Sequence, residues 1–300
     1  MTALETLRDL VESMTAQEGE PTWIDGMSLF RSTTVTDPLG TTVKPTLALV
    51  LRGAKRAVLG RRVYEYRAGQ FLIVSVDLPL VSQIIEASAT EPFVALAIPL
   101  QPAVIAPLLL EADARDARLR DECGPGPALA VSEADHDLLG GLTRLLELHR
   151  RPFDRRILAP GLVRELHWRL LTGEHGGFVR AIGLADSRLS TVSGAIRLIQ
   201  QNFDQPLRSE DLAAQVGLSV ATLNRHFRAV TSLSPLQYQK TLRLQQARLA
   251  LLATPNEVAR IGHEVGYGSL SQFSREYSRM FGAPPSIDAA RLQTSIVTTA

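Results

Sequence analysis

NEVARIGHEVGYGSLSQFSREYSRMF, residues 256–281, spaces its apolar residues as one helix, a glycine turn and a second helix. Val258, Ile261 and Val265 fall on one face at helical spacing. Just ahead, Thr254-Pro255-Asn256-Glu257 supplies an N-cap, a proline for the first helical position and a glutamate three residues past the cap. Gly266-Tyr267-Gly268 breaks this helix. Ser269 then caps a second one, with Gln272 as its capping-box partner and Phe273, Tyr277 and Phe281 as its buried stripe. Its other face carries Ser271, Gln272, Ser274, Arg275, Ser278 and Arg279. Hydroxyl, amide and guanidinium groups on the free face of a short helix are what a reader of the DNA major groove needs.

One helical pair of this kind is weak evidence, but the chain holds two, roughly fifty residues apart. Ser209–Val230, SEDLAAQVGLSVATLNRHFRAV, repeats the arrangement. Leu212, Ala213 and Val216 form the inner face of its first helix, and Gly217-Leu218 the turn. Ser219 caps the second helix, with Leu223 and Phe227 inward and Val220, Ala221, Thr222, Asn224, Arg225 and Arg228 outward. Between the copies runs Ser234–Ala253, with Ser234 as cap, Pro235 at the first helical position, Gln237 as capping partner, and Leu244, Ala247 and Leu251 on one face. A long helix there would hold two reading helices in fixed relation. If parallel and about 34 Å apart, they would enter successive major grooves. Arg225 and Arg275 suit guanine, and Asn224 and Gln272 suit adenine, because each can bond its base bidentately. His226 and Arg228 also fit packing or backbone contact.

Over residues 190–285 the chain resembles the AraC/XylS family of bacterial transcription regulators. The motifs are NFDQPL (202–207), DLAAQVGLS (211–219), LNRHF (223–227), SPLQY (234–238), RLQQARLALL (243–252) and VARIGHEVGYGSLSQFSREYSRMFGAPPS (258–286). The resemblance implies two helix-turn-helix units, at about 209–230 and 256–281, joined by a long helix. It places DNA-reading positions at Ala221, Asn224, Arg225, Ser271, Gln272 and Arg275; Arg228 and Arg279, on the same outward faces, are further DNA-binding candidates. The chain departs from the family where a serine, an aromatic and a basic pair usually follow the final proline. Here Pro285-Ser286 runs into Ile287-Asp288-Ala289-Ala290-Arg291, a departure that weighs against the tail's contacts to the DNA backbone and not against the fold.

Three hundred residues suffice for two domains, and 45% hydrophobic with 21% charged residues describes a chain that can bury an ordinary core. Net charge is only +1, but it is segregated. From Gly194 onward eleven Lys and Arg stand against seven acids, +4, leaving −3 for the rest. The basic excess lies where phosphates would dock. The single cysteine, Cys123, permits no disulfide within the chain and fits a reducing cytoplasm. Asp121 and Glu122 beside it disfavour a thiolate and hence a redox role. MTALETLRDLVESM reads as a short amphipathic helix rather than a cleavable signal, and no run approaches a membrane span.

Six apolar or alternating stretches read as strands: Met27–Thr33, Thr46–Arg52, Ala57–Tyr66 (with a hairpin turn at Gly60), Phe71–Val76, Leu80–Ile85 and Phe93–Ile98. Many short strands at close spacing suggest an antiparallel barrel or sandwich. Pro45–Leu80 resembles the cupin-like sensor domain of one AraC subgroup, a small barrel that binds an effector or contributes to dimerisation. Catalytic cupins bind metal through two or three histidines and a glutamate. Here the first histidine is His136, beyond every predicted strand. No metal site, cofactor or catalytic residue is therefore expected. Arg52, Lys55, Arg56, Arg61 and Arg62 cluster in Arg52–Arg62. Arg52, Arg56, Arg61 and Arg62 are candidates to grip an anionic effector, although a solvated hairpin surface is the commoner reason for such a cluster. Gly124-Pro125-Gly126 breaks a loop without phosphate-loop context, and His263-Glu264 lacks the second histidine of a zinc helix.

Residues 132–182 turn helical. Leu138, Leu142, Leu145, Leu146 and Leu148 mark one helix, and Pro160 opens another with Leu162, Val163, Leu166, Leu170 and Leu171. Gly176-Gly177 and Gly183–Ser193 bracket the join to a second domain that starts with Ser190–Asn202, whose inner face is Ile196, Ile199 and Phe203. The expected fold is α+β and multidomain. Residues 1–185 form a cupin-like antiparallel β-barrel with flanking helices, and 186–300 an all-α domain with two helix-turn-helix units. The expected function is a non-enzymatic, sequence-specific DNA-binding transcription regulator whose barrel senses a small molecule. The alternatives are a constitutive regulator whose barrel only dimerises, and a cupin enzyme fused to a DNA-binding module. Expected partners are double-stranded promoter DNA, a small-molecule effector, RNA polymerase and a second copy of the chain, with no membrane.

Overall fold

The computed structural model describes residues 2–15, 26–112, 128–184 and 188–297. Cys123 and Gly124-Pro125-Gly126 lie outside these residues, as does the expected domain boundary at 185/186. The chain forms two compact units, one of Met1–Leu39, Val43–Thr191 and Ala229–Ser232, the other of Gly40–Thr42, Val192–Arg228 and Leu233–Ala300.

The first unit opens with helix α1 (Ala3–Thr15). Thr2 caps it reciprocally with Glu5: the Glu5 N–H donates to Thr2 Oγ1, and the Thr2 N–H donates to Glu5 Oε2. Its apolar face buries Leu7 and Val11 completely. Strands follow as β1 (Ser28–Ser32), β2 (Leu39–Val43, whose Gly40–Thr42 are counted with the second unit), β3 (Thr46–Arg52), β4 (Ala54–Leu59), β5 (Arg62–Arg67), β6 (Gln70–Val74), β7 (Leu78–Glu86) and β8 (Phe93–Pro99). Helix α2 (Pro102–Glu111), strand β9 (Leu129–Glu133) and helices α3 (His136–Glu147), α4 (Pro152–Thr172) and α5 (Gly176–Gly183) complete it. The strands make two antiparallel sheets, β1-β8-β3-β6-β9 and β2-β7-β4-β5.

The sheets are open, which corrects the expected closed barrel. Each keeps two edge strands, and among the described residues no ladder joins an edge of one to an edge of the other. The chain instead changes sheet at sharp corners. Gly53, between β3 and β4, has φ +78, and a Cβ there would lie 2.4 Å from the Glu86 carbonyl oxygen, so only glycine fits. The return from β5 to β6 passes through Ala68 and Gly69, whose N–H groups donate to the carbonyls of Gly53 and Val50. Leu47, Leu49, Leu51, Phe71, Ile73, Leu96 and Ile98 on one face of the first sheet form a single core with helices α1 to α5.

Three further expectations are corrected. The hairpin expected within Ala57–Tyr66 forms around Gly60 as β4 and β5, but β4 begins earlier, at Ala54. The region counted as helical from residue 132 begins with the end of β9. Pro152, not Pro160, stands at the first turn of α4, and Pro160 lies inside it. Gly176 and Gly183, read as bracketing the join, are the ends of α5. A Cβ at Gly176 would lie 2.0 Å from the Leu171 carbonyl oxygen and one at Gly183 2.6 Å from Ile105, so these glycines serve close packing rather than flexibility.

The second unit is built from helices α6 (Arg188–Gln201), α7 (Ser209–Gln215), α8 (Val220–Thr231), α9 (Pro235–Ala253), α10 (Val258–Glu264), α11 (Leu270–Phe281) and α12 (Pro285–Val297). The capping box at α9 is complete: Ser234 and Gln237 exchange both bonds. Thr254, expected to start a helix, ends one. Its N–H and hydroxyl both donate to the Ala250 carbonyl, closing α9, and α10 begins only at Val258. The sequence matches both roles because a threonine hydroxyl can satisfy a carbonyl behind it as well as an N–H ahead.

Candidate nucleic-acid interface

The pairs α7–α8 and α10–α11 are built alike. α7 ends with the Gly217 N–H on the Ala214 carbonyl and the Leu218 N–H on that of Ala213, around Gly217 at φ +69. α10 ends with the Gly266 N–H on His263 and the Tyr267 N–H on Gly262, around Gly266 at φ +88. Both are the paired closing bonds that a left-handed residue permits, and glycine meets that requirement without Cβ strain. After each turn a serine caps the next helix: Ser219 Oγ accepts from the Thr222 N–H and Ser269 Oγ from the Gln272 N–H.

Each second helix buries its predicted stripe, except that Phe281 at the end of α11 is only half-buried. Leu223 and Phe227 of α8 and Phe273 and Tyr277 of α11 are fully buried, each contributing on the order of 2 kcal/mol. Helix α9 serves both pairs. Its Tyr238 meets Phe227 edge-on with ring centroids 5.6 Å apart, while Leu244, Ala247 and Leu251 pack with Ile261, Phe273 and Tyr277. That division keeps α8 and α11 on one support and leaves their opposite faces free.

On those faces Ala221, Arg225, Arg228, Ser271, Arg275 and Arg279 are exposed, and Asn224 and Gln272 half-buried. None of the four arginines makes an ion pair with a carboxylate among the described residues. Other cations counted with the basic excess are engaged. Lys240 bonds Glu276, Arg248 pairs with Asp288, and Arg260 pairs with Glu257 and Glu264. Arg243 donates to the carbonyls of Phe203, Gly266 and Gln205. Positive charge is thus internally bonded along the support and uncompensated on the two free faces. Both amides are held by their own helices: Asn224 Nδ2 donates to the Val220 carbonyl (3.0 Å) and Gln272 Nε2 to Glu276 Oε1 (3.1 Å). Either must turn to reach a base.

Glu276 is a junction that sequence reading passed over. Besides Gln272 it accepts from Lys240 Nζ on α9 (3.0 Å) and from the Tyr267 hydroxyl (2.9 Å). Burial works to raise its carboxyl, and the bonds from Gln272, Lys240 and Tyr267 outweigh burial and hold it below the ordinary value. Asp288, on α12, is a second junction. It accepts from buried Arg248 and from the Tyr277 hydroxyl (2.8 Å), and burial together with that bond raises the Tyr277 phenol. The residue that breaks the family's tail pattern is therefore the anchor of the last helix. The signal that could have revealed either junction is a carboxylate on the inner side of an amphipathic helix.

Of the four arginine candidates in the first unit, Arg52 pairs with Glu12 of α1 and Arg56 with Glu65 across β4–β5. Arg61 and Arg62 lie exposed at the β4–β5 turn. They do not converge on one place. Among the described residues no group of three His, Cys, Asp or Glu is placed to hold a metal ion, and no helix is long and apolar enough to cross a membrane.

A sheet-and-helix unit and a helical unit with two like helix pairs define a class of two-part regulator. Residues 23–178 match the family described as AraC-type transcriptional regulator N-terminus, and residues 212–290 match a helix-turn-helix domain. The chain belongs to the AraC-type transcriptional regulators. It is 34% identical over 94 residues to the HTH-type transcriptional regulator ArgR of Pseudomonas aeruginosa, covering 31% of this chain and 29% of that one. It is 29% identical over 160 residues to the MmsAB operon regulatory protein of the same organism, covering 53% and 49%. The chain therefore spans at most about half the length of these relatives. Among solved structures, fatty-acid-bound wild-type ToxT from Vibrio cholerae superposes with a TM-score of 0.57 at 11% identity, covering 90% of this chain and 96% of that one. ToxT from strain O395 gives 0.54, covering 88% and 96%. At that identity the likeness concerns the fold alone.

Proposed function

We propose that this chain is a sequence-specific DNA-binding transcription regulator in which α8 and α11 are the reading helices of two helix-turn-helix units, about 209–230 and 256–281, within a DNA-binding domain spanning 186–300. The observation that carries this reading is the repeated pair with four uncompensated arginines, Arg225, Arg228, Arg275 and Arg279, on the free faces. Cations without internal partners replace counterions on the phosphate backbone, and guanidinium and amide groups beside them read base edges. Ala221, Asn224, Arg225, Ser271, Gln272 and Arg275 are assigned to bases; Arg228 and Arg279 are assigned to the duplex without a base. The protein acts on promoter DNA in the cytoplasm, alongside RNA polymerase, and is not an enzyme.

The two sheets of residues 1–185 form the sensor for a small-molecule effector. Support comes from the match to the family's N-terminal domain and from the bound unsaturated fatty acid of the ToxT structure with the same fold. An effector acts by preferring one arrangement of the protein over another. A second copy of the chain is a further partner. The first half of α4 leaves Phe153 91% and Ile157 75% exposed, one helical turn apart, as an apolar strip without a cover among the described residues.

The test is selection of duplex DNA from a random pool by the full chain, followed by a binding titration of the winning sequence. Two short recognised elements, about one helical turn apart, are expected. Enrichment of no sequence would contradict the reading. A thermal-shift screen against aldehydes, carboxylates, sugars and cyclic nucleotides tests the sensor. Saturation at a hundred times the dissociation constant stabilises by about 2.7 kcal/mol.

A further inference from the structure

The two sheets of the first unit turn unlike faces toward one another. On the β4–β5 ladder Lys55 is opposite Tyr66 and Ala57 opposite Tyr64, so these four share one face. Arg56 and Val58, opposite Glu65 and Val63, share the other face, where Arg56 finds its ion pair. Tyr66 is only 2% exposed, which marks its face as the inner one. In the other sheet Leu47 and Leu49 pack against the helices, and Ala48 therefore faces inward, opposite Leu72 and Ala97. Lys55 reaches across: its Nζ stands 5.6 Å from the centroid of the Phe30 ring on β1.

Three observations at this place lack an explanation in folding alone. Lys55 has no carboxylate partner among the described residues, although burial is sufficient to lower its ammonium from the ordinary value. A half-buried cation held only by a ring face is poorly compensated. Tyr64 Oη is buried with no hydrogen-bond partner among the described residues, and a buried polar atom calls for a partner. Finally, Ala48 lies on β3, the central strand of its sheet, yet it and Ala97 remain partly exposed on the inner side. The short alanine side chains therefore leave this part of the inner wall less than fully covered.

We infer that this space is the effector site and that it takes a small carboxylic acid with an apolar body, its carboxylate on Lys55 Nζ and the Tyr64 hydroxyl and its body against Phe30, Ala48 and Ala97. This assignment rests on the sensor reading above and adds its chemical class and contacts. A carboxylate accepts a charge-assisted bond from the ammonium and an ordinary one from the phenol, supplying both missing partners at once. It also accounts for a lysine where the interior of a sheet pair ordinarily carries apolar residues.

The experiment uses the full chain and four probes, phenylacetate and hexanoate against phenylacetamide and hexanamide, read by thermal shift and calorimetric titration. The acids are expected to bind at least tenfold more tightly than the amides. Lys55→Met should bring acid and amide to equal affinity, and Tyr64→Phe should weaken the acids severalfold and the amides less, since an amide carbonyl accepts a weaker bond from the phenol than a carboxylate does. Lys55→Gln serves where the methionine variant fails to fold. Equal binding of acids and amides, or a Lys55 variant that keeps the preference, overturns the inference. Silence of the acids while another class of metabolite stabilises the protein refutes this assignment alone. Silence of every compound class refutes the sensor reading with it.

Discussion

Arg243 Nη1 donates to the Gly266 carbonyl at 2.8 Å, so the long helix α9 holds the turn of the second helix pair directly. The same guanidinium reaches the carbonyls of Phe203 (2.6 Å) and Gln205 (2.9 Å), and Gln239 Nε2, one turn earlier on α9, donates to those two as well. The loop after α6 and the turn before α11 are thereby fixed to one side chain. Arg243→Ala should cost about 2–4 kcal/mol, the scale for breaking a partly buried charged network. Arg243→Lys should recover only part, since one ammonium cannot span three carbonyls as a planar fork does. Urea unfolding of the three proteins decides. Stability of the alanine variant within about 0.5 kcal/mol of the parent, the size of a neutral surface change, would contradict this role.

The two turn glycines should answer differently to the same substitution. At Gly217 nothing lies within 4 Å of the place a methyl would take, so Gly217→Ala carries only the left-handed backbone cost of about 1 kcal/mol. At Gly266 a Cβ would fall 2.1 Å from the Asp204 carbonyl oxygen and 2.7 Å from Arg243 Nη2. Gly266→Ala must displace backbone as well, and a loss of at least about 3 kcal/mol is expected. Thermal unfolding of both variants checks the ranking, and equal losses would show that the turns are equivalent.

These two turns also show what the sequence made legible. Gly217 and Gly266, the caps Ser219, Ser234 and Ser269, and the stripes Leu223–Phe227 and Phe273–Tyr277 all stand where local chemistry demanded them. Each depends on residues within a turn or two. Strands β2 and β9 were missed because LGTTV and LAVSE have little alternation and are specified by the strands they pair with. Closure of the barrel was misjudged because it depends on whether edge strands meet, which no single strand encodes. The roles of Arg243, Glu276 and Asp288 are not legible in the sequence because each has a partner 23 to 40 residues away.

The junction at Glu276 predicts a pH dependence. Its folded carboxyl is held below the ordinary value of 4.5, so its contribution is complete above that value. It is lost as pH falls through the lower folded value. Glu276→Gln should therefore lower stability at pH 7 by about 1 kcal/mol, a figure kept small because the group is partly solvent-screened. The gap to the parent should close as the solution is acidified well below pH 4.5. Unfolding titrations across that range measure it; a gap that widens on acidification would reverse the assigned sign.

Arg279 and Arg275 should separate by the kind of loss they cause. Arg279→Ala is expected to weaken all duplexes alike and to reduce the slope of log affinity against log salt by about one. A change in base preference in that variant would move Arg279 from the phosphates to the bases.

The central claim is that α11 reads bases, and the direct measurement is the affinity of Arg275→Ala for the selected duplex and for each single-base variant of it. The account predicts a loss of about 1–3 kcal/mol on the selected sequence, with preference relaxed at one base pair and retained elsewhere. Affinity and base preference both unchanged from the parent would remove Arg275 from the reading face and contradict the claim.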